Sequence, residues 1–115
     1  MTRVLAKDHK QLNSYLKATS EWISVETLSS IPEAEPKKYL YDLMRNYSQR
    51  GGKHFRPALV LLCCELFGGD PEDALNSAVA LELFHNFALI HDDIEDDSIL
   101  RRGEPTLHLQ HGTAL

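Results

Sequence analysis

The sequence predicts an all-α protein built as an antiparallel helical bundle, and three observations carry that prediction. Apolar residues recur at i, i+3, i+4 and i+7 in separate stretches, as in Leu40, Leu43, Met44 and Tyr47. Prolines and glycine pairs fall at the ends of these stretches, where helices start and stop. No stretch shows the period-2 alternation of a half-buried strand.

The elements follow in order. Leu5, Leu12 and Leu16 stand at helical spacing among Lys and Gln, which predicts an amphipathic helix; Trp22, Ile23, Val25 and Leu28 continue it or form a second one. Ser29 to Pro36, with two prolines and polar filling, is a linker. Pro36 suits the first turn of the next helix, which ends at Gly51-Gly52, where glycine takes the left-handed cap conformation. Pro57 opens a helix that is apolar nearly all round and stops at Gly68-Gly69. Asp70-Pro71-Glu72-Asp73 is a strong helix start, with Asp70 as N-cap and acids in the first turn, and that helix runs to about Asp97. RRGEPT reads as a loop, and LHLQHGTAL begins another helix.

Composition narrows the function classes. At 115 residues the chain is one domain at most, and apolar and charged fractions of 43% and 25% are those of an ordinary globular protein. A net charge of −5 argues against general nucleic-acid binding. No apolar run approaches the ~20 residues of a membrane span, and the start lacks a signal-peptide core, so a cytoplasmic location is expected. Cys63 and Cys64 are adjacent, point in different directions on a helix and read as small buried hydrophobes.

The chemistry concentrates in HNFALIHDDIEDDSILRRGEPT. Five of the six residues from Asp92 to Asp97 are acidic. At ~100° per residue, Asp92 and Asp96 fall about 20° to either side of His85, with Asp93 beside the stripe. Like charges at i,i+4 repel, so the stripe calls for a cation, and paired oxygens on one face suit Mg²⁺ that keeps waters and shares a substrate phosphate. Arg101 and Arg102 follow, and Gly51-Gly52-Lys53-His54-Phe55-Arg56-Pro57 stands well before. Carboxylates for metal beside bare cations suggest a polyanionic substrate, and diphosphate fits. The plain alternative is a solvated helix end, with Arg101 and Arg102 complementing its dipole and His85 a core histidine.

With GGKHFRP, HDDIED and RRGEPTLH in hand, the chain from about Leu40 to Leu115 resembles the N-terminal part of the trans-prenyl diphosphate synthases, closest in motif to the geranylgeranyl and farnesyl diphosphate enzymes. The resemblance implies the isoprenoid synthase fold and condensation of isopentenyl diphosphate with an allylic diphosphate. It implies Asp92 and Asp96 as ligands of Mg²⁺ (or Mn²⁺), with Asp93 in support. Lys53, Arg56, His85 and Arg102 would hold isopentenyl diphosphate, and Arg101 would reach the allylic diphosphate. Phe87 and Ala88, five and four residues before Asp92, stand where bulk limits the product in resembling enzymes. One aromatic and one small residue there resembles the geranylgeranyl class. A homodimer is expected of the complete enzyme.

Two departures qualify the resemblance. His54 stands where many relatives have arginine. The family also has a second aspartate-rich motif on a later helix, and here only Glu104 is acidic after Asp97. Residues 1–115 therefore read as a single, incomplete domain, inactive by itself and either part of a longer enzyme or a partner of another chain. The alternatives are a class I terpene cyclase, against which GGKHFRP and Arg102 speak, and a non-catalytic helical partner subunit.

Overall fold

The computed structural model describes residues 9–112. Helix α1 (His9–Ser30) is continuous through Trp22. Its buried stripe is Tyr15, Thr19, Ile23 and Thr27, one residue per turn. The expected leucine stripe differs: Leu12 is exposed, Leu16 is half-buried and Leu5 lies outside the described residues. Threonine is short enough to let a neighbouring helix approach, so packing here selects size over hydropathy.

After the linker, a wide turn at Lys37–Tyr41 leads into α2 (Asp42–Gln49), with Pro36 extended just outside it. Of the expected apolar face only Tyr47 is fully buried; Leu40 and Met44 are exposed. Gly51 and Gly52, at φ +81° and +124°, end this segment as expected. Helix α3 (Phe55–Leu66) starts two residues before Pro57, capped by His54 in the left-handed region at φ 52°. Cys63 is exposed and Cys64 half-buried, which corrects the expectation of buried thiols: the apolar run has an outer face, and Cys63 lies on it. Asp70 accepts from the Glu72 backbone N–H at 3.0 Å, the expected cap, although the first turn (Pro71–Ala74) is a 3₁₀ turn. It leads into α4 (Leu75–Glu95).

The core lies where α1, α3 and α4 meet: Ile23, Leu61 and Ala78 are fully buried, with Trp22, Val60, Ala74 and Leu75 against them. The loop after α4 forms a hairpin that the sequence did not announce. β1 (Leu100–Arg101) pairs antiparallel with β2 (Glu104–Pro105), and Arg102 and Gly103 form its turn at φ 52° and 81°. Two successive positive φ values make a type I′ turn, whose twist matches the strands; Arg-Gly is an uncommon pair for it. Thr106 closes the loop by donating its Oγ1–H to the Ser98 carbonyl at 2.8 Å. Helix α5 (Leu107–His111) follows. Among the described residues the chain is all-α apart from this hairpin. No helix among the described residues is long and apolar enough to cross a membrane.

Candidate functional site

The acidic stretch lies at the C-terminal end of α4, and helical hydrogen bonding reaches Asp96, whose N–H donates to the Asp92 carbonyl at 2.9 Å. That bond keeps Asp92 and Asp96 one turn apart on one face. Both are exposed, and neither is ion-paired among the described residues. No group of three His, Cys, Asp or Glu side chains gathers into a metal site among those residues. Two exposed carboxylates on one face are oxygen donors of the kind a hard divalent cation takes, and they are too few to enclose one.

Asp93 behaves differently from its neighbours. It is 1% exposed. Arg101 donates to its two oxygens at 3.1 Å and 2.5 Å, and the Tyr47 hydroxyl donates to Oδ2 at 2.6 Å. Burial pushes the Asp93 carboxyl up, but the hydrogen bonds from Arg101 and Tyr47, with the guanidinium charge, hold it below its ordinary value. For Tyr47, burial and the neighbouring carboxylate both raise the phenol, so it stays protonated and donates. Asp93 thus uses its oxygens on protein donors, and Arg101 is anchored beside the free pair.

The basic groups divide into three places. Arg56 of α3 reaches His85 of α4, Nη1 to Nε2 at 3.3 Å. Guanidinium can only donate, so His85 is the Nδ1–H tautomer and neutral. Burial and then Arg56 lower its pKa, in agreement. Lys53 is not brought to this pair; it lines a groove against α1 with Lys17, Ser20 and Glu21. Arg102 turns inward, donating to the Tyr47 carbonyl at 2.7 Å and packing on Gly52. The φ of +124° at Gly52 favours glycine, and a Cβ there, 3.1 Å from the Arg102 guanidinium, would push that side chain aside by a few tenths of an ångström.

His54 lies buried beneath this group, its Nδ1 2.6 Å from the Ser20 hydroxyl and its Nε2 3.8 Å from Glu82. Burial, then the Arg102 charge, lowers the His54 pKa, while burial raises that of Glu82. The contact is accordingly a polar packing contact near neutral pH and not an ion pair. Where arginine was expected from resemblance, His54 ties α1 to α4.

The comparisons decide the family. A family model described as polyprenyl synthetase matches residues 37–115, more than half of the chain. The chain belongs to the polyprenyl synthetase family. A short chain isoprenyl diphosphate synthase of Methanothermobacter thermautotrophicus is 44% identical, over 84% of this chain and 30% of its own length. A geranylgeranyl diphosphate synthase of Cyanophora paradoxa is 42% identical, over 90% of this chain and 35% of its own. The solved geranylgeranyl pyrophosphate synthetase of Geoglobus acetivorans superposes with a TM-score of 0.81 at 37% identity, covering 86% of this chain and 32% of that one. The chain thus spans about a third of the length of the curated relatives it matches.

Within this polyprenyl synthetase segment, Phe87 lies on the exposed face of α4, 4.4 Å from His91 and 5.9 Å from Phe84 between ring centroids; Ala88 is half-buried. Sequence reasoning missed Tyr47, Arg50, Ser20 and Glu82 as polar neighbours of the site. Tyr47 had been assigned to an apolar face, and Glu82 carried one signal, a carboxylate one turn before His85.

Proposed function

We propose that the protein is a prenyltransferase that joins isopentenyl diphosphate to an allylic diphosphate, with residues 1–115 forming the N-terminal part of its helical domain. The observation that carries this reading is the free Asp92/Asp96 pair beside an Asp93-anchored Arg101, with His85 seven residues before Asp92 on α4 and Arg56 of α3 against it. Seven residues are ~10 Å along a helix, room for two diphosphates side by side.

Asp92 and Asp96 would hold Mg²⁺, for which Mn²⁺ could substitute. When bound, that ion neutralises charge on a departing diphosphate. Arg101 stabilises the same charge on the allylic diphosphate as its carbon–oxygen bond ionises. Arg56, with neutral His85 donating through Nδ1–H, holds isopentenyl diphosphate, whose alkene attacks the allylic cation. Lys53 would join it by swinging out of the groove against α1, and Arg102 contributes positive potential from its inward position. The new carbon–carbon bond leaves a tertiary carbocation, and the diphosphate released by the broken carbon–oxygen bond takes up the proton whose loss forms the new double bond.

The similarity to proteins named for isoprenyl and geranylgeranyl diphosphate synthesis supports the transfer reaction. Phe87, with Ala88 behind it, suits a product of geranylgeranyl length. In this reading the complete enzyme is a homodimer, as the resemblance implies.

The test is incubation of the full-length protein with Mg²⁺ and labelled isopentenyl diphosphate, with and without an allylic diphosphate. Elongated prenyl diphosphate only when both are present is the expected result. A hydrocarbon from the allylic substrate alone would identify a terpene cyclase. No product from a folded protein would favour the non-catalytic subunit.

A further inference from the structure

Arg101 sits on a strand two residues long. A two-stranded hairpin is at best marginal in water, so its ladder alone cannot hold a long side chain to an ångström. Side-chain tethers from α2 do so, and they converge on one residue. Tyr47 is 0% exposed. Its hydroxyl donates to Asp93 Oδ2 at 2.6 Å and accepts from the Leu107 N–H at 3.3 Å. Its carbonyl accepts from Arg102 at 2.7 Å. Its ring lies 4.5 Å under the Arg50 guanidinium, and Arg50 in turn donates to the Arg101 carbonyl at 3.2 Å. One residue thus touches the acidic helix, the hairpin turn and the start of α5.

The geometry points to Tyr47 as a positioning residue that sets, through Asp93, where the Arg101 guanidinium stands relative to Asp92 and Asp96. The inference rests on the reading that Arg101 serves the allylic diphosphate. The mechanism is steric and electrostatic. Asp93 has its carboxylate clamped from one side by the phenol and from the other by Arg101, so removing the phenol frees the carboxylate to rotate and carries Arg101 with it. Misplacement by about 1 Å is enough to cost a transition-state contact on the order of a hundredfold, so a partial loosening is expected to cost less.

The experiment is Tyr47→Phe in the full-length protein, which keeps the ring under Arg50 and removes only the oxygen. The expected result is a loss of about tenfold in kcat/KM for the allylic diphosphate, with the KM for isopentenyl diphosphate changed by less than about twofold. The effect should vanish in an Asp93→Ala background, because the phenol acts through that carboxylate. Arg101→Gln is the second cycle partner if Asp93→Ala is too unstable. Calorimetric binding of inorganic diphosphate with Mg²⁺ should weaken in parallel in Tyr47→Phe. That arm reports on Arg101 even if the protein transfers no prenyl group, a result that would sink the functional reading and leave this inference standing. Unchanged kcat/KM and unchanged diphosphate binding, with only a lowered melting temperature, would overturn it. So would equal losses for both substrates, or a Tyr47→Phe effect that persists when Asp93 is alanine.

Discussion

Replacing Asp93 by asparagine keeps the volume and one oxygen but removes the charge that Arg101 neutralises. Each hydrogen bond to a charged group contributes about 1.5–3 kcal/mol, and breaking a buried ion pair from one side costs about 3–5 kcal/mol. The Arg101 side chain is 30% exposed, so water recovers part of its hydration and the lower end applies. An amide N–H must also face either Arg101 or the Tyr47 hydroxyl. Together these give a loss of about 2–3 kcal/mol, a sizeable share of a total stability of roughly 5–15 kcal/mol. For a protein of about 300 residues, the length of the relatives, this lowers the melting temperature by about 3–5 °C. The assay is urea and thermal unfolding of the full-length protein and the Asp93→Asn variant, first at pH 7 and then in acid. Since the folded Asp93 pKa is depressed, its stabilisation is fully present above the ordinary value of 3.8 and is lost as pH falls through the lower folded value. The gap between the two proteins should therefore narrow only below about that ordinary pH. A gap under about 0.5 kcal/mol at neutral pH, within the range of an unremarkable surface substitution, would refute the assignment of Asp93 as an anchored group.

Three further outcomes are expected. Arg56→Ala should raise the KM for isopentenyl diphosphate more than that for the allylic substrate, and steady-state kinetics with each substrate varied in turn would show equal effects if the two pockets are wrongly assigned. Phe87→Ala should shift the product toward longer chains, read by chromatography of the dephosphorylated prenols; an unchanged distribution would make Phe87 a packing or assembly residue. His54 should titrate below its ordinary 6.5, because burial and Arg102 disfavour its charged form. The unfolded chain then takes up the proton first, so stability falls as pH drops below 6.5, and an imidazole midpoint by NMR at or above that value would contradict the buried, neutral assignment.

Much of this was legible in the residues, and what was not has identifiable causes. Asp70-Pro71 and the two glycine pairs marked helix ends because caps and positive φ are local requirements. The i,i+4 relation of Asp92 and Asp96 followed from helix periodicity alone. The separate fate of Asp93 did not, because its burial is decided by Tyr47, 46 residues away along the chain, and by Arg101 in the hairpin. The hairpin itself was missed because its turn uses Arg-Gly, with a non-glycine residue held at positive φ by Arg102's inward contacts. Thr19 and Thr27 were passed over in favour of leucines, since hydropathy does not report how closely helices cross. Cys63 was misplaced for a related reason: a run apolar nearly all round does not say which side faces outward.

The most direct measurement is the turnover of Asp92→Asn beside the wild-type full-length protein, with both diphosphates and Mg²⁺, and again under excess EDTA. If Asp92 and Asp96 hold the metal that supports ionisation, the variant should lose several orders of magnitude in kcat while remaining folded, and chelation should abolish wild-type turnover. Turnover at the wild-type rate in Asp92→Asn, or product formation that EDTA leaves untouched, would contradict the metal-assisted prenyl transfer proposed for this site.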